Sequence, residues 1–237
     1  AWRSSNEMYI PSHVPIRLPL DLSIALIMTK YPVNDFLEKL ASEAPTPGGG
    51  SVAALMGSMG AALVSMVANL TVGKKKYESV EKEVKKLLVD SEALRLLLEE
   101  AIEKDVEAFD QVMAAYGLPK DSADERAVRT EKIQESLKDA INAPMECAML
   151  TAKVIPLCKE IAKVGNVNII SDAGVAVLAA RAAFKSAELN VYVNVSSLKD
   201  REFASKKIDQ IKELGAVVEK GEQETFDYVK QVILKIN

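Results

Sequence analysis

The sequence predicts an all-α protein: a helical bundle with long antiparallel helices packed around one buried apolar helix. Three observations carry that reading. Residues 52–70 run without a single charge and are rich in Ala, Gly, Ser and Met, so other helices can approach them closely. Residues 79–116 place apolar side chains three and four positions apart over a very long stretch. Composition agrees: 49% of the 237 residues are hydrophobic but only 5% aromatic, with Ala, Leu, Val, Lys and Glu prominent. The length suits one large domain with a sizeable core.

Residues 1–31 are read as an N-terminal extension set apart from the fold, and 32–237 as a single helical domain. The apolar run Leu20–Met28 is too short to span a bilayer and lacks an Ala-x-Ala-like cleavage site, and Met28 is a candidate natural start. Within the domain, Val33–Glu43 predicts a short amphipathic helix with Phe36, Leu37 and Leu40 on one side. The loop Ala44-Pro-Thr-Pro-Gly-Gly-Gly50 ends it, and Ser51 is expected to cap the uncharged helix that follows. That helix leaves at Gly73 into Lys74-Lys75-Lys76-Tyr77.

Ser79–Tyr116 predicts the long helix, stopped by Gly117-Leu118-Pro119, with Leu87, Leu94, Leu98, Ala101, Phe109 and Val112 as its apolar stripe. Asp124–Ile155 predicts a helix interrupted or kinked at Pro144 and closed before Pro156, and Leu157–Val164 a short one ending at Gly165. After a loop at 166–170, Ser171 or Asp172 is expected to cap an apolar helix through Leu189. Val191–Val195 looks strand-like locally, but with no evident partner it is read as a helix extension or a short extended piece. Lys199–Leu214 and Glu222–Ile236 predict two amphipathic helices, broken near Gly215 and Gly221.

Charge and rare residues exclude several classes of function. A net charge of -4 argues against a general nucleic-acid binder. Cys147 and Cys158 read as core thiols in a reducing compartment rather than as a disulfide framework. His13 is the one histidine and lies in the extension, so neither a Ser-His-Asp triad nor a His-ligated metal centre can be built in the domain. No metal site is expected. Proton transfer falls to Asp, Glu, Lys, Tyr or water.

Asp105 stands out, because it shares the stripe of Leu94, Leu98, Ala101 and Phe109 that should face inward. A buried carboxylate must be paired, protonated or lining a cavity. Gly165-Asn-Val-Asn-Ile-Ile-Ser-Asp172 reads either as a turn with a helix cap or as a polar wall offering donors and acceptors to a heterocycle. The Lys74–Lys76 run reads either as a solvated face or as a seat for an anionic tail. The glycine loop matches neither the P-loop nor the dinucleotide fingerprint.

Taken in order, Ala44-Pro-Thr-Pro-Gly-Gly-Gly-Ser-Val-Ala-Ala54, Gly60-Ala-Ala-Leu-Val-Ser-Met-Val67, the Lys75-Lys76-Tyr77 exit, Asp105-Val-Glu-Ala-Phe109 and Gly165–Asp172 resemble the formiminotetrahydrofolate cyclodeaminase / methenyltetrahydrofolate cyclohydrolase family. The likeness covers roughly residues 33–237. It implies an all-helical homodimer that binds a tetrahydrofolate derivative, and a catalytic aspartate at Asp105. It also implies substrate walls at Thr46, Gly48, Gly49, Gly50, Ser51, Asn168 and Asp172, with Lys75 and Lys76 beside the glutamate tail.

The implied reaction is cyclisation of 5-formiminotetrahydrofolate to 5,10-methenyltetrahydrofolate with loss of ammonia. The alternative is hydrolysis of the methenyl bridge to 10-formyltetrahydrofolate. A non-catalytic folate-binding or adaptor dimer is the reading from a different class. No cofactor beyond the folate, no nucleic acid and no membrane is expected, and the expected location is cytoplasmic.

Overall fold

A computed structural model of the chain describes residues 32–235. The extension through residue 31, with His13 and the Leu20–Met28 run, lies outside them, as does Ile236. Seven α-helices account for nearly all of the described chain: α1 Val33–Leu40, α2 Gly49–Asn69, α3 Glu81–Tyr116, α4 Ala123–Ala140, α5 Asn142–Val164, α6 Ile170–Ser196 and α7 Arg201–Leu234. Short 3₁₀ turns at Lys75–Val80 and Val167–Ile169 join α2 to α3 and α5 to α6. There is no strand among the described residues.

The uncharged helix α2 is the axis of the bundle, packed against α3, α5 and α6. Its small residues make that possible. A Cβ at Gly57 would sit 2.6 Å from Thr151 Cγ2 on α5, and one at Gly60 would sit 3.0 Å from the Ala176 carbonyl on α6. Ala53, Ala61, Val64, Val67 and Ala68 are fully buried beside them. Helix α6 runs antiparallel to α2: Gly49 approaches Asn190, Gly60 approaches Ala180, and Asn166 hydrogen-bonds Leu70 and Thr71. Phe184, fully buried on α6, fills the space between α6 and α7.

Several boundaries differ from expectation, each for a packing reason. Ser51 does not cap α2. Gly48 holds the N-cap position, and Ser51 lies inside the first turn with its hydroxyl free for another use. Neither Ser171 nor Asp172 caps α6, which begins at Ile170 directly out of the 3₁₀ turn that the Asn166 side chain caps.

The interruption expected near Pro144 falls at Ile141, which divides the segment into α4 and α5, and Pro144 lies in the first turn of α5, where its missing N–H costs nothing. Pro156 does not end α5. The helix runs through it to Val164, held by buried Val154, Ile155, Cys158 and Ile161 on one side. Gly215 and Gly221 do not break the C-terminal region, and α7 is one continuous helix. These glycines admit close neighbours instead, Phe184 against Gly215 and Ile155 against Gly221. Val191–Val195 is helical, the last turns of α6.

Candidate active site

The site is built where the N-terminus of α2 meets the middle of α3 and the C-terminal half of α6. Asp105 projects from α3, half-buried, toward the first turn of α2. The Ser51 hydroxyl donates to Asp105 Oδ2 at 2.8 Å. Gly50 lies directly beneath the same carboxylate, and a Cβ there would overlap it. Glycine at position 50 is therefore a matter of space, since the carboxylate occupies the volume that a side chain would need.

Burial raises the Asp105 pKa above the ordinary carboxylate range, and hydrogen bonds from the Ser51 side chain and backbone partly offset that rise. No lysine or arginine pairs with Asp105 among the described residues. Its neighbour Lys104 reaches instead to Glu146 on α5, at 2.8 Å. Behind the carboxylate lies Cys147, buried, its thiol pushed up to about 12 by burial first and then by the Asp105 charge. Cys158 is also buried and free.

In front of Asp105 opens a cavity of about 420 Å³, within the range of small-molecule sites. Thr46, Gly48, Gly49 and Gly50 form one lip, Phe109, Val112 and Tyr116 an apolar wall, and Asn190 and Asn194 a polar one. The peptide bond between Thr46 and Pro47 in that lip is cis. Phe109 thus leaves the core stripe to which the periodicity assigns it, while Val112 lines the cavity and still packs against the core. Phe109 is 37% exposed and faces the cavity, whereas Ala101, Leu98 and Leu94, roughly two to four turns earlier, are buried.

The asparagine wall was not anticipated. Its signal was present in two amides four residues apart in the apolar C-terminal turns of α6, which places both on one face. The Asn190 amide donates to the Ser186 carbonyl and that of Asn194 to the Ala140 carbonyl, which fixes both side chains.

The remaining expected residues sit elsewhere in the chain. Lys75 and Lys76 lie in the 3₁₀ turn beyond the far end of α2, exposed, with the Lys76 ammonium 5.4 Å from the Tyr77 ring centroid. Asn168 and Asp172 lie at that same end, at the start of α6. The junction there is tied by Asn166: its backbone N–H donates to Thr71 Oγ1, its side-chain amide donates to the Leu70 carbonyl, and its side-chain Oδ1 accepts from the Tyr77 hydroxyl and the Asn168 N–H. The 21 residues of α2 put this cluster roughly 30 Å from Asp105 within one chain. No group of three or more His, Cys, Asp and Glu side chains is placed to hold a metal ion among the described residues.

A partly desolvated carboxylate, positioned by a hydroxyl at a helix N-terminus and facing a cavity of mixed apolar and amide character, is an arrangement suited to acid–base chemistry. Comparison with known proteins gives the family. A family model described as formiminotransferase-cyclodeaminase matches residues 32–213, and the chain belongs to that family. It is 51% identical over 201 residues to a methenyltetrahydrofolate cyclohydrolase of Methylorubrum extorquens, covering 85% of this chain and 97% of that protein. It is 30% identical over 208 residues to the formimidoyltransferase-cyclodeaminase of Rattus norvegicus, covering 88% of this chain but only 37% of that longer protein. Among solved structures, formiminotetrahydrofolate cyclodeaminase from Thermotoga maritima superposes with a TM-score of 0.77 at 32% identity, covering 86% of this chain and 98% of that one.

Proposed function

We propose that the chain is a folate-dependent enzyme of one-carbon metabolism that hydrolyses the bridge of 5,10-methenyltetrahydrofolate to give 10-formyltetrahydrofolate, with Asp105 as the proton-transfer group. The half-buried Asp105 carboxylate facing the cavity carries this reading. Water adds to the electrophilic bridging carbon while Asp105 takes one of its protons. The bond from that carbon to N5 then breaks, N5 receives the proton, and the carbon remains on N10 as a formyl group, with one proton released overall. A carboxylate with a raised pKa suits both halves of this exchange near neutrality. The reaction is addition and proton transfer at one carbon, so the reading calls for no cofactor beyond the folate itself.

The 51% identity to a protein named for this hydrolysis favours it. Cyclodeamination of 5-formiminotetrahydrofolate is the second reading, favoured by the likeness to the Thermotoga maritima cyclodeaminase. There N10 attacks the formimino carbon, Asp105 takes the N10 proton, and the leaving nitrogen is protonated and lost as ammonia. The same carboxylate and cavity serve both. Two buried free thiols support a reducing, cytoplasmic setting, and a homodimer is the proposed assembly.

The test is spectrophotometric. Methenyltetrahydrofolate absorbs where its products do not, so its decay reports hydrolysis and its appearance from the formimino substrate reports cyclodeamination. The wild-type chain is expected to accelerate one or both, and Asp105→Asn to lose that acceleration while still binding folate. Near-normal turnover by Asp105→Asn would remove Asp105 from the mechanism. A wild type inert toward both substrates would remove the folate reading.

A further inference from the structure

Asn190 and Asn194 stand one turn apart on α6, and a carbonyl holds each amide: that of Ser186 at 2.8 Å and that of Ala140, the last residue of α4, at 3.1 Å. A carbonyl oxygen only accepts, so the amide atom facing it is nitrogen in both cases. The other corner of each amide plane is therefore Oδ1. Neither Oδ1 has a hydrogen-bond partner among the described residues, and neither is sealed from solvent. Each nitrogen keeps one further N–H beside its anchor.

The Asn190 amide lies against the start of α2. A Cβ at Gly49 would stand 3.7 Å from its Nδ2 and 3.9 Å from its Oδ1, and the next residue is Gly50, whose bare backbone carries the Asp105 carboxylate. Two adjacent glycines thus set the amide and the acid on either side of one opening. No Lys, Arg or His lines the cavity. Its hydroxyls, on Thr46, Tyr116 and Ser197, turn to suit a ligand. The oxygens locked in place are acceptors, so the wall calls for a ring edge that donates.

Residues four apart on a helix have Cβ atoms about 5–6 Å apart. Acceptors so spaced do not match two adjacent N–H groups, which one carboxylate takes as a fork. They match two donors spread along one edge of a fused bicyclic ring. On the folate reading above, which this inference deepens, that ring is a pterin. Its 2-amino group and N3–H are adjacent, whereas its 2-amino group and N8–H are spread along one edge. The opposite edge carries N5, which such a pose turns across the opening toward Asp105. N8 bears a hydrogen only when the pyrazine half of the ring is reduced. In the aromatic ring N8 is a bare lone pair, and acceptor would face acceptor.

We propose that Asn190 selects the oxidation state of the ring: its Oδ1 accepts from N8–H of a reduced pterin, Asn194 Oδ1 accepts from the 2-amino group, and the ring lies on the wall of Phe109 and Val112. Asn190 takes the N8 end because it is the amide beside Gly49, nearer the acid. A site shaped to receive an N–H is left with an unpaired acceptor when the ligand lacks that hydrogen, and rings of nearly the same outline are separated by this penalty.

Calorimetric titration under nitrogen with tetrahydrofolate, 7,8-dihydrofolate and folic acid tests the proposal without turnover. The first two carry N8–H, but only the first has a tetrahedral C6, so the series separates the donor from the pucker of the ring. The wild type is expected to bind the first two within about fivefold of each other and folic acid at least about thirtyfold more weakly. Asn190→Leu should cut that preference below about fivefold, and Asn194→Leu should weaken all three ligands alike, by about tenfold, with the preference kept. Alanine at the same positions gives the same readout where leucine disturbs the fold. The proposal is overturned if the wild type binds all three alike, if 7,8-dihydrofolate sides with folic acid, or if the preference survives in the Asn190 variants. A wild type that binds none of the three overturns the folate reading and this proposal with it, whereas binding without discrimination overturns this proposal alone.

Discussion

The Ser51 hydroxyl gives its hydrogen to Asp105 Oδ2, leaving Oδ1 packed over the bare backbone of Gly50. Three consequences follow at this scale. Asp105→Asn keeps size and shape but removes the base, so kcat should fall by about 10²–10⁴-fold with folate affinity nearly unchanged, as measured by single-turnover kinetics and equilibrium titration.

The raised pKa also links this residue to stability. Its folded value exceeds the unfolded one, so the native state holds the proton more tightly. The stabilisation this gives is complete below the unfolded value of about 3.9 and is lost as pH rises through the folded value. Asp105→Asn should therefore melt at or above the wild-type temperature at pH 7, with the difference narrowing as the pH is lowered toward 4. Thermal scans across that range check it. Ser51→Ala removes a donor that favours the charged form, so the acid limb of kcat/KM should move to higher pH. Asp105 was legible in the sequence because one acid interrupts an apolar stripe. Asn190 and Asn194 were not, because amides on a helix more often face water than a cavity.

Helices α2 and α7 show why element boundaries were harder to read than element identities. The charge-free run and the long periodic stripe of α3 identify their helices without tertiary information, and both exist as expected. Glycine and proline are ambiguous signals. At Gly73, with φ of 76°, glycine turns the chain after α2 has already ended at Asn69. At Gly57, Gly60, Gly215 and Gly221 it admits a neighbour, and only the partner helix, far away in sequence, decides which.

Gly60 is the sharpest case, because the nearest atoms to an added Cβ are backbone atoms of Ala176 and Ala180, which cannot swing aside. Gly60→Ala gains up to about 1 kcal/mol of helix propensity. It sets against that an overpacking cost of typically 1–3 kcal/mol, at the upper end here because both helices must move apart. The expected outcome is net destabilisation, a fall of a few degrees in Tm by calorimetry. Phe184→Ala, opening a void between α6 and α7, should cost about 3–5 kcal/mol in denaturant unfolding.

For the molecule as a whole, the expected bundle around one apolar helix is what forms, and the ordered motif set identified the family. The glycine loop and the lysine run flank that helix in the sequence, so their separation was legible; what the sequence could not reveal was which end Asp105 and the Gly165–Asp172 motif would join. Order along a chain carries no information about which end of a rod a residue occupies once the chain reverses direction. Phe109 and Val112 make the same point on a smaller scale, since an apolar stripe reads identically whether it meets core or cavity.

The partnership of α2 with α6 also bears on how the chain is made. Helix α2 leaves the ribosome early, yet the helix that covers much of it is finished only about 130 residues later, a delay of roughly 6–25 s at ordinary elongation rates. During that interval α3 and α5 can cover part of this uncharged, methionine-studded rod but the face that α6 covers has no native shelter, so nascent chains stalled before α6 should be held by chaperones or precipitate.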